Sequence, residues 1–396
     1  MTVLIQAETA GPAAAAPPAH PAVGALRLSA FAGHRGTTLP LGPLTLVTGG
    51  SGSGKSGVLR AYEVLARLAS GAALADAVTD PGSCVPEWAV PDRQGRRGFR
   101  IGCAVAGPAG RVRLDLAVQV EPELRIAGER LTLGDVVLME SALRDPARRT
   151  VQAAWHTAGS AAVTRAPLPD DRLATALLPL RVAGKTDGQR SVLAAAEQVV
   201  LALRSSYACD PQPTRMRAPV PAGSGRLLRG CDNLADVLRR TRAECGTRHA
   251  LLVEAARAGC AGAVEDVRVE GTSYVEAFLD RGGERKGTPL GRLGDGELRY
   301  LALSLALLTG PGVLAVDQVS EVPSALQPLT IVADGFDRGL DRRQRDELLA
   351  LAARMCARGH IRLLAAVGED AAGAESAAGA SVVDLGRDGE RIKRQR

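Results

Sequence analysis

The sequence predicts an α/β fold with a mixed core sheet, an antiparallel β subdomain and an inserted helical region. Three stretches carry that prediction. Leu44-Thr45-Leu46-Val47-Thr48 is an apolar, partly β-branched run that stops at a cluster of glycines, beyond which the apolar residues recur with helical spacing. Phe99, Ile101, Cys103 and Val105 alternate, and so do Val112, Leu114, Leu116, Val118 and Val120 across the turn Gly107-Pro108-Ala109-Gly110, which is a hairpin pattern. The last third interleaves apolar helical segments with short β-rich runs, an α/β rhythm.

Length and composition set the bounds. A chain of 396 residues accommodates a large core in two or three domains. Aromatic residues make up only 3%, so the core is built from Leu, Val and Ala, and no stacking platform for single-stranded nucleic acid is evident. The net charge of +6 comes from widely spread arginine, which permits a nucleic-acid partner without demanding one. Seven cysteines, at 84, 103, 209, 231, 245, 260 and 356, form no C-x-x-C pair and are odd in number, which argues against a zinc site or disulfide framework and for reduced thiols in a cytoplasmic protein. Five scattered histidines lack metal-ligand spacing. No apolar run approaches the ~18 residues of a membrane span, and Leu301 to Leu308 reads as a buried helix, so no membrane partner is expected.

In chain order, residues 1–23 read as a disordered Ala/Pro-rich tail that lacks the charged start and continuous apolar stretch of a signal peptide. Residues 24–141 form an N-terminal lobe: a strand at Ala25 to Phe31, the 44–48 strand, a helix from Ser56 to Leu68, a loop at 70–98, the hairpin, and a short strand within Glu123 to Leu131. Residues 142–275 read as the inserted region. Its pattern to Arg204 is helical but interrupted by Pro146, Pro167, Pro169 and Pro179, with the clearest helix at Ser191 to Leu203. A Pro/Gly/Arg-rich loop at 210–230 follows, then a helix capped by Asp232, a second helix near His249 to Ala258, and a strand–turn–strand at Val264 to Val275. Residues 276–396 form a C-terminal lobe. It holds a helix at Glu297 to Leu308, β-rich runs at Val313 to Val316 and Leu329 to Val332, a helix at Arg342 to Arg358 closed by Gly359, and a buried strand at Ile361 to Val367. A hairpin about Asp388-Gly389 ends it, with Val382 to Leu385 as one arm.

The glycine cluster gives the first chemistry. Gly49, Gly50, Ser51, Gly52, Ser53, Gly54, Lys55 and Ser56 satisfy G-x-x-x-x-G-K-[ST] at every fixed position, and Gly57 extends the run. Glycines permit positive φ and remove Cβ atoms, so that successive backbone N–H groups converge on phosphate oxygens. In this pattern Lys55 reaches the β- and γ-phosphates and the Ser56 hydroxyl ligates Mg²⁺. The helix that follows aims its N-terminal dipole at the anion. A P-loop NTPase holding a nucleoside triphosphate is the reading.

Leu293-Gly294-Asp295-Gly296-Glu297-Leu298-Arg299 is the second chemical stretch, with Gly294 and Gly296 freeing N–H groups at a helix start. It resembles the signature motif of the ABC-type ATPases, Leu-Ser-Gly-Gly-Glu in its common form. The Asp-Gly-Glu variant followed by Leu-Arg-x-Leu-Ala-Leu resembles the branch of chromosome-maintenance, recombination-repair and OLD-like proteins. The segment Cys231-Asp232-Asn233-Leu234-Ala235-Asp236-Val237-Leu238 is similar to one typical of that branch, and the resemblance runs from about Val23 to Val367. It implies ATP and Mg²⁺ as ligands, and a head-to-head homodimer in which Gly294, Asp295, Gly296 and Glu297 close on the γ-phosphate of the other copy. It further implies that Gly339-Leu340-Asp341 is a D-loop contacting the opposite protomer, and that Gln94 senses Mg²⁺.

Two acids are candidates for the Mg²⁺ side. Asp317 ends Val313-Leu314-Ala315-Val316 at the family's usual distance after the signature helix, whereas Asp334 ends Leu329-Thr330-Ile331-Val332-Ala333 in a contiguous unit of strand, acid, D-loop and helix. Spacing favours Asp317 and contiguity favours Asp334. The family's catalytic Glu directly after this Asp is replaced by Gln318 or Gly335. Gln orients a water without accepting its proton, Gly does neither, and Glu321 is a nearby substitute. The family's histidine after the last core strand is replaced by Val367-Gly368-Glu369-Asp370. These departures imply slow hydrolysis or a binding switch. An ATPase coupled to a partner such as DNA, and a non-hydrolysing regulator of a protein effector, are therefore the two functions to weigh. A transporter subunit fits the Asp-Gly-Glu form less well, and no nuclease domain is read after the core.

Overall fold

The computed structural model describes residues 20–157, 163–283, 287–310, 314, 328–368 and 379–386. In chain order its elements begin with β1 (Ala22–Phe31), β2 (His34–Pro40), β3 (Leu44–Thr48), α1 (Lys55–Ala69) and the single turn α2 (Leu74–Ala77). Next come β4 (Arg97–Gly107), β5 (Gly110–Glu121), β6 (Arg125–Leu133), β7 (Val136–Ala142), β8 (Thr150–His156) and β9 (Val163–Pro169). The turn α3 (Ala174–Leu177), α4 (Asp187–Arg204), β10 (Ser206–Cys209), β11 (Val220–Pro221), α5 (Leu234–Glu244) and α6 (Gly246–Gly259) follow. The described chain closes with β12 (Asp266–Glu270), β13 (Tyr274–Asp280), β14 (Thr288–Pro289), α7 (Asp295–Leu308), β15 (Leu329–Ala333), α8 (Arg342–Ala357), β16 (Ile361–Ala366) and β17 (Ala380–Asp384).

Two principal sheets organise these elements. An eight-stranded antiparallel sheet runs β2-β1-β4-β5-β6-β7-β8-β9. A five-stranded sheet runs β10-β15-β16-β3-β17, and each of its pairings is parallel. A smaller sheet joins β11, β12, β13 and β14. The parallel strands are apolar on both faces, as strands covered on both sides must be: Leu329 to Ala333 are all buried. One core lies between the antiparallel sheet and α1 and α4, filled by Tyr62, Phe31, Phe99 and many Leu and Val side chains. The other surrounds α7, whose residues Leu298 to Leu308 are all buried, together with α5, α6 and α8.

The hairpin, the phosphate-loop strand and the helices at 187–204, 246–259, 295–308 and 342–357 lie where periodicity puts them. The stretch from 142 to 169 does not follow the expected helical pattern. It continues the antiparallel sheet as β8 and β9, because Val151, Ala153 and Trp155 are buried at every second residue. Pro167 and Pro169 sit in β9 at the sheet edge, where a missing N–H removes no ladder bond. Strand β2 also escapes the pattern, since only His34 and Leu39 of its seven residues turn inward. The 234–244 helix starts from Asn233 without a side-chain cap, and Asp232 instead faces Arg215 at 3.5 Å. Of the tail, only residues 20–23 are described, and β1 already begins at Ala22. The arm at 382–385 overlaps β17, which pairs in parallel with β3, and the rest of the expected hairpin lies outside the described residues. The run 313–316 lies outside them as well, except Leu314, which bridges Leu227.

Candidate functional site

Strand β3 delivers the glycine loop to the carboxyl end of the parallel sheet, where such sheets bind ligands. The loop turns on left-handed glycines, with φ of 138° at Gly49, 80° at Gly52 and 96° at Gly54. At Gly54 the requirement is double: a Cβ would also lie 2.6 Å from Nε2 of the buried His34. His34 supports the loop from beneath, its Nε2–H donating to the Gly54 carbonyl at 3.0 Å. The Lys55 ammonium folds over the loop and donates to the carbonyls of Gly49 and, at 2.9 Å, Gly50. Ser53 Oγ is buried without a partner, an orphaned hydroxyl within the glycine loop.

Three segments wall the cleft in front of this loop, whose volume is about 530 Å³. Residues 51–57 form one wall, Asp334, Gly335, Asp337 and Arg338 a second, and Ala366 to Gly368 a third. Sheet register explains the convergence. Ala333 pairs with Ala365 and Ala366 with Val47, so Asp334 emerges level with the end of β3 and two strands away, a lateral separation of roughly 10 Å. Ser56 and Asp334 together line both this cleft and the groove running on along α1. An alcohol and a carboxylate at one rim are the hard oxygen donors that suit Mg²⁺. Of the two candidate acids, Asp334 is thus in the cleft. Asp317, Gln318 and Glu321 lie outside the described residues.

The turn after Asp334 is pinned twice. Phe336 is buried and its N–H donates to Ala366 O at 2.9 Å, while the Asp337 carboxylate accepts from Gly368 N at 3.0 Å. Asp337 and Arg338 were not legible as cleft residues, because pattern alone does not show that this turn faces the loop. Arg299 of α7 passes beneath it, donating to Gly335 O at 2.8 Å and to Pro211 O at 2.6 Å. Its guanidinium is held below the ordinary range, first by burial and then by the charge of Arg338.

The signature residues do not line the phosphate-loop cleft. Glu297 accepts from Gly294 N at 3.0 Å and Ala261 N at 2.8 Å, closing the start of α7, and Asp295 is paired with Arg217. Arg217 also donates to the carbonyls of Gly291 and Leu293 at 2.8 Å, so the 210–230 loop clamps the motif. Both carboxylates are thus engaged within the chain, and the first-turn N–H groups of α7 have no intrahelical acceptor. Asp341 caps α8, accepting from Gln344 N at 2.7 Å. The 339–341 turn and the 294–297 motif touch directly: a Cβ on Gly296 would lie 2.4 Å from Gly339 O. Gln94 is exposed in a turn closed on Asp92 and does not reach the cleft.

Among the described residues all seven cysteines are free, no acid/His/Cys cluster could hold a metal, and no helix is long and apolar enough to cross a membrane. The geometry is that of an α/β domain in which a glycine loop joins a parallel strand to a helix. No protein-family model matches the chain, and no curated protein matches it. Solved structures similar to it include an SmcHead bound to the C-winged helix domain of ScpA, 11% identical with a TM-score of 0.48, covering 90% of this chain and 92% of that one. An SMC head domain from Thermotoga maritima is 10% identical with a TM-score of 0.40, covering 91% and 94%. An Smc head domain with an extended coiled coil, bound to the C-terminal domain of ScpA derived from Pyrococcus furiosus, is 10% identical with a TM-score of 0.42, covering 88% and 89%.

Proposed function

We propose that this chain is a P-loop ATPase of ABC type that binds ATP with Mg²⁺ and uses the bound state to pair two copies head to head. The observation that carries the reading is the convergence of residues 51–57, including Ser56, and Asp334 on one cleft, with the 294–297 motif outside it. The loop N–H groups and Lys55 hold the β- and γ-phosphates, exchanging the Gly49 and Gly50 carbonyls for phosphate oxygens as ATP enters. Ser56 and Asp334 hold Mg²⁺, which neutralises phosphate charge when bound. The first turn of α7 meets the γ-phosphate of the second copy. Gly335 supplies no carboxylate to polarise water, so turnover is slow and ATP occupancy acts as a clamp. That feature equally favours a second reading, a regulator that signals to a protein effector without hydrolysis.

Duplex DNA is the partner we favour. Arg100, Arg111, Arg113 and Arg165 are exposed on the outer face of the antiparallel sheet and form no ion pair among the described residues. Phosphate release by wild type and Lys55→Ala tests the enzyme: wild-type turnover lost in the variant supports hydrolysis, and equal rates reject it. Retention on duplex DNA across a salt series tests the partner, and affinity that ignores salt would reject it.

A further inference from the structure

We propose that Arg338 contacts the γ-phosphate of the nucleotide held by its own chain, so that the cleft distinguishes a nucleoside triphosphate from a diphosphate. This rests on the phosphate-loop reading above and adds to it a residue outside the motifs. Arg338 lines the same cleft as Lys55, on the wall formed by Asp334, Gly335 and Asp337. Its backbone is fixed within the pinned turn: Arg338 N–H donates to Gly335 O at 3.0 Å, Leu340 N–H to Asp337 O at 3.2 Å, and left-handed glycines bracket it at φ 59° (Gly335) and 72° (Gly339). The side chain folds back over Gly335, where a Cβ would lie 2.7 Å from Arg338 Nε. The guanidinium therefore occupies the space beside the residue that follows Asp334, and a side chain at 335 would be strained by the positive φ and would displace that guanidinium.

Charge points the same way. Arg338 forms no ion pair among the described residues, and the nearby Asp337 carboxylate is turned to Gly368 N. A second guanidinium, that of Arg299, lies against the Gly335 carbonyl, with Asp210 at 3.8 Å as its acid. Two cations thus flank Gly335, Arg299 from beneath the turn and Arg338 at the cleft wall, and of the two only Arg299 has a carboxylate partner, which leaves the Arg338 guanidinium available to an incoming anion. A guanidinium offers a planar fork to phosphate oxygens. At this wall it supplies positive charge where a carboxylate would have served as base, which favours gripping the γ-phosphate over activating water.

The test compares affinity for ADP and for a non-hydrolysable ATP analogue, both with Mg²⁺, in wild type, Arg338→Ala, Arg338→Lys and Lys55→Ala. A charge-assisted contact predicts that Arg338→Ala weakens the analogue by about tenfold to a hundredfold, leaves ADP within about twofold, and retains the wild-type melting temperature. Arg338→Lys recovers part of the loss. Equal weakening of both nucleotides, or of neither, overturns the proposal. If wild type binds neither nucleotide, the phosphate-loop reading itself fails and the proposal falls with it, an outcome distinct from a wild type that binds both while Arg338→Ala leaves their ratio unchanged.

Discussion

Replacing Gly296 with alanine adds one methyl group where the signature helix meets the D-loop. The new Cβ would lie 2.4 Å from Gly339 O and 3.1 Å from Gln344 Oε1, whereas ordinary contact begins at 3.4 Å. The D-loop backbone must therefore withdraw by about 1 Å. It cannot do so freely, because Gln344 accepts from Asp341 N at 3.1 Å and donates to Gly259 O at 2.9 Å. Overpacking of this kind costs about 1–3 kcal/mol, offset by roughly 0.5–1 kcal/mol from the helical preference of Ala over Gly. The net destabilisation is on the order of 1–2 kcal/mol, a fall in melting temperature of about 2–5 °C. Gly294→Ala is the control: its Cβ has only Glu297 Oε2 at 3.7 Å, and its φ of −63° suits any residue. Thermal unfolding of both variants, with ATP-dependent dimerisation measured by light scattering, reads the effect. Gly296→Ala is expected to melt lower and dimerise less, and Gly294→Ala to melt as wild type. A Gly296→Ala protein as stable as wild type would refute the packing argument.

Asp334→Asn is expected to raise the Mg²⁺ concentration needed for nucleotide binding by roughly tenfold or more, and Asp317→Asn to leave it unchanged; equal requirements in the two variants would remove Asp334 as the ligand. Glu129 tests the antiparallel lobe. It is buried and accepts from the N–H groups of Ala174 and Thr175 and from Thr175 Oγ1, yet burial pushes its carboxyl from 4.5 up to about 7. The folded state then binds more protons than the unfolded chain between those values, so stability falls as pH rises through that window. The integrated loss is about 3 kcal/mol in order of magnitude. Urea midpoints at pH 5 and pH 8 should show this fall in wild type and a flatter profile in Glu129→Gln, and parallel profiles would contradict the burial account.

What the residues alone determine here is local chemistry. Eight positions from Gly49 to Ser56 match a phosphate-loop pattern, with the glycines, the lysine and the hydroxyl at fixed spacing, and the strand–turn–helix that the pattern requires is present. The hairpin at 97–121 and the buried helix at 295–308 are legible for the same reason, their periods being properties of adjacent residues. Strand β9 is obscured by Pro167 and Pro169, which its edge position tolerates, and edge position belongs to the assembled sheet. Tertiary structure decided the rest. Asp334 enters the cleft because β15 is seated beside β16, which is seated beside β3, and register across non-adjacent strands is invisible along a chain. Packing between elements likewise sets His34 of the antiparallel sheet under Gly54 and Arg299 of α7 against Gly335, and brings Arg338 to the cleft that Lys55 lines. Each of those contacts joins residues far apart in sequence, so its free energy exists only once the sheets have formed.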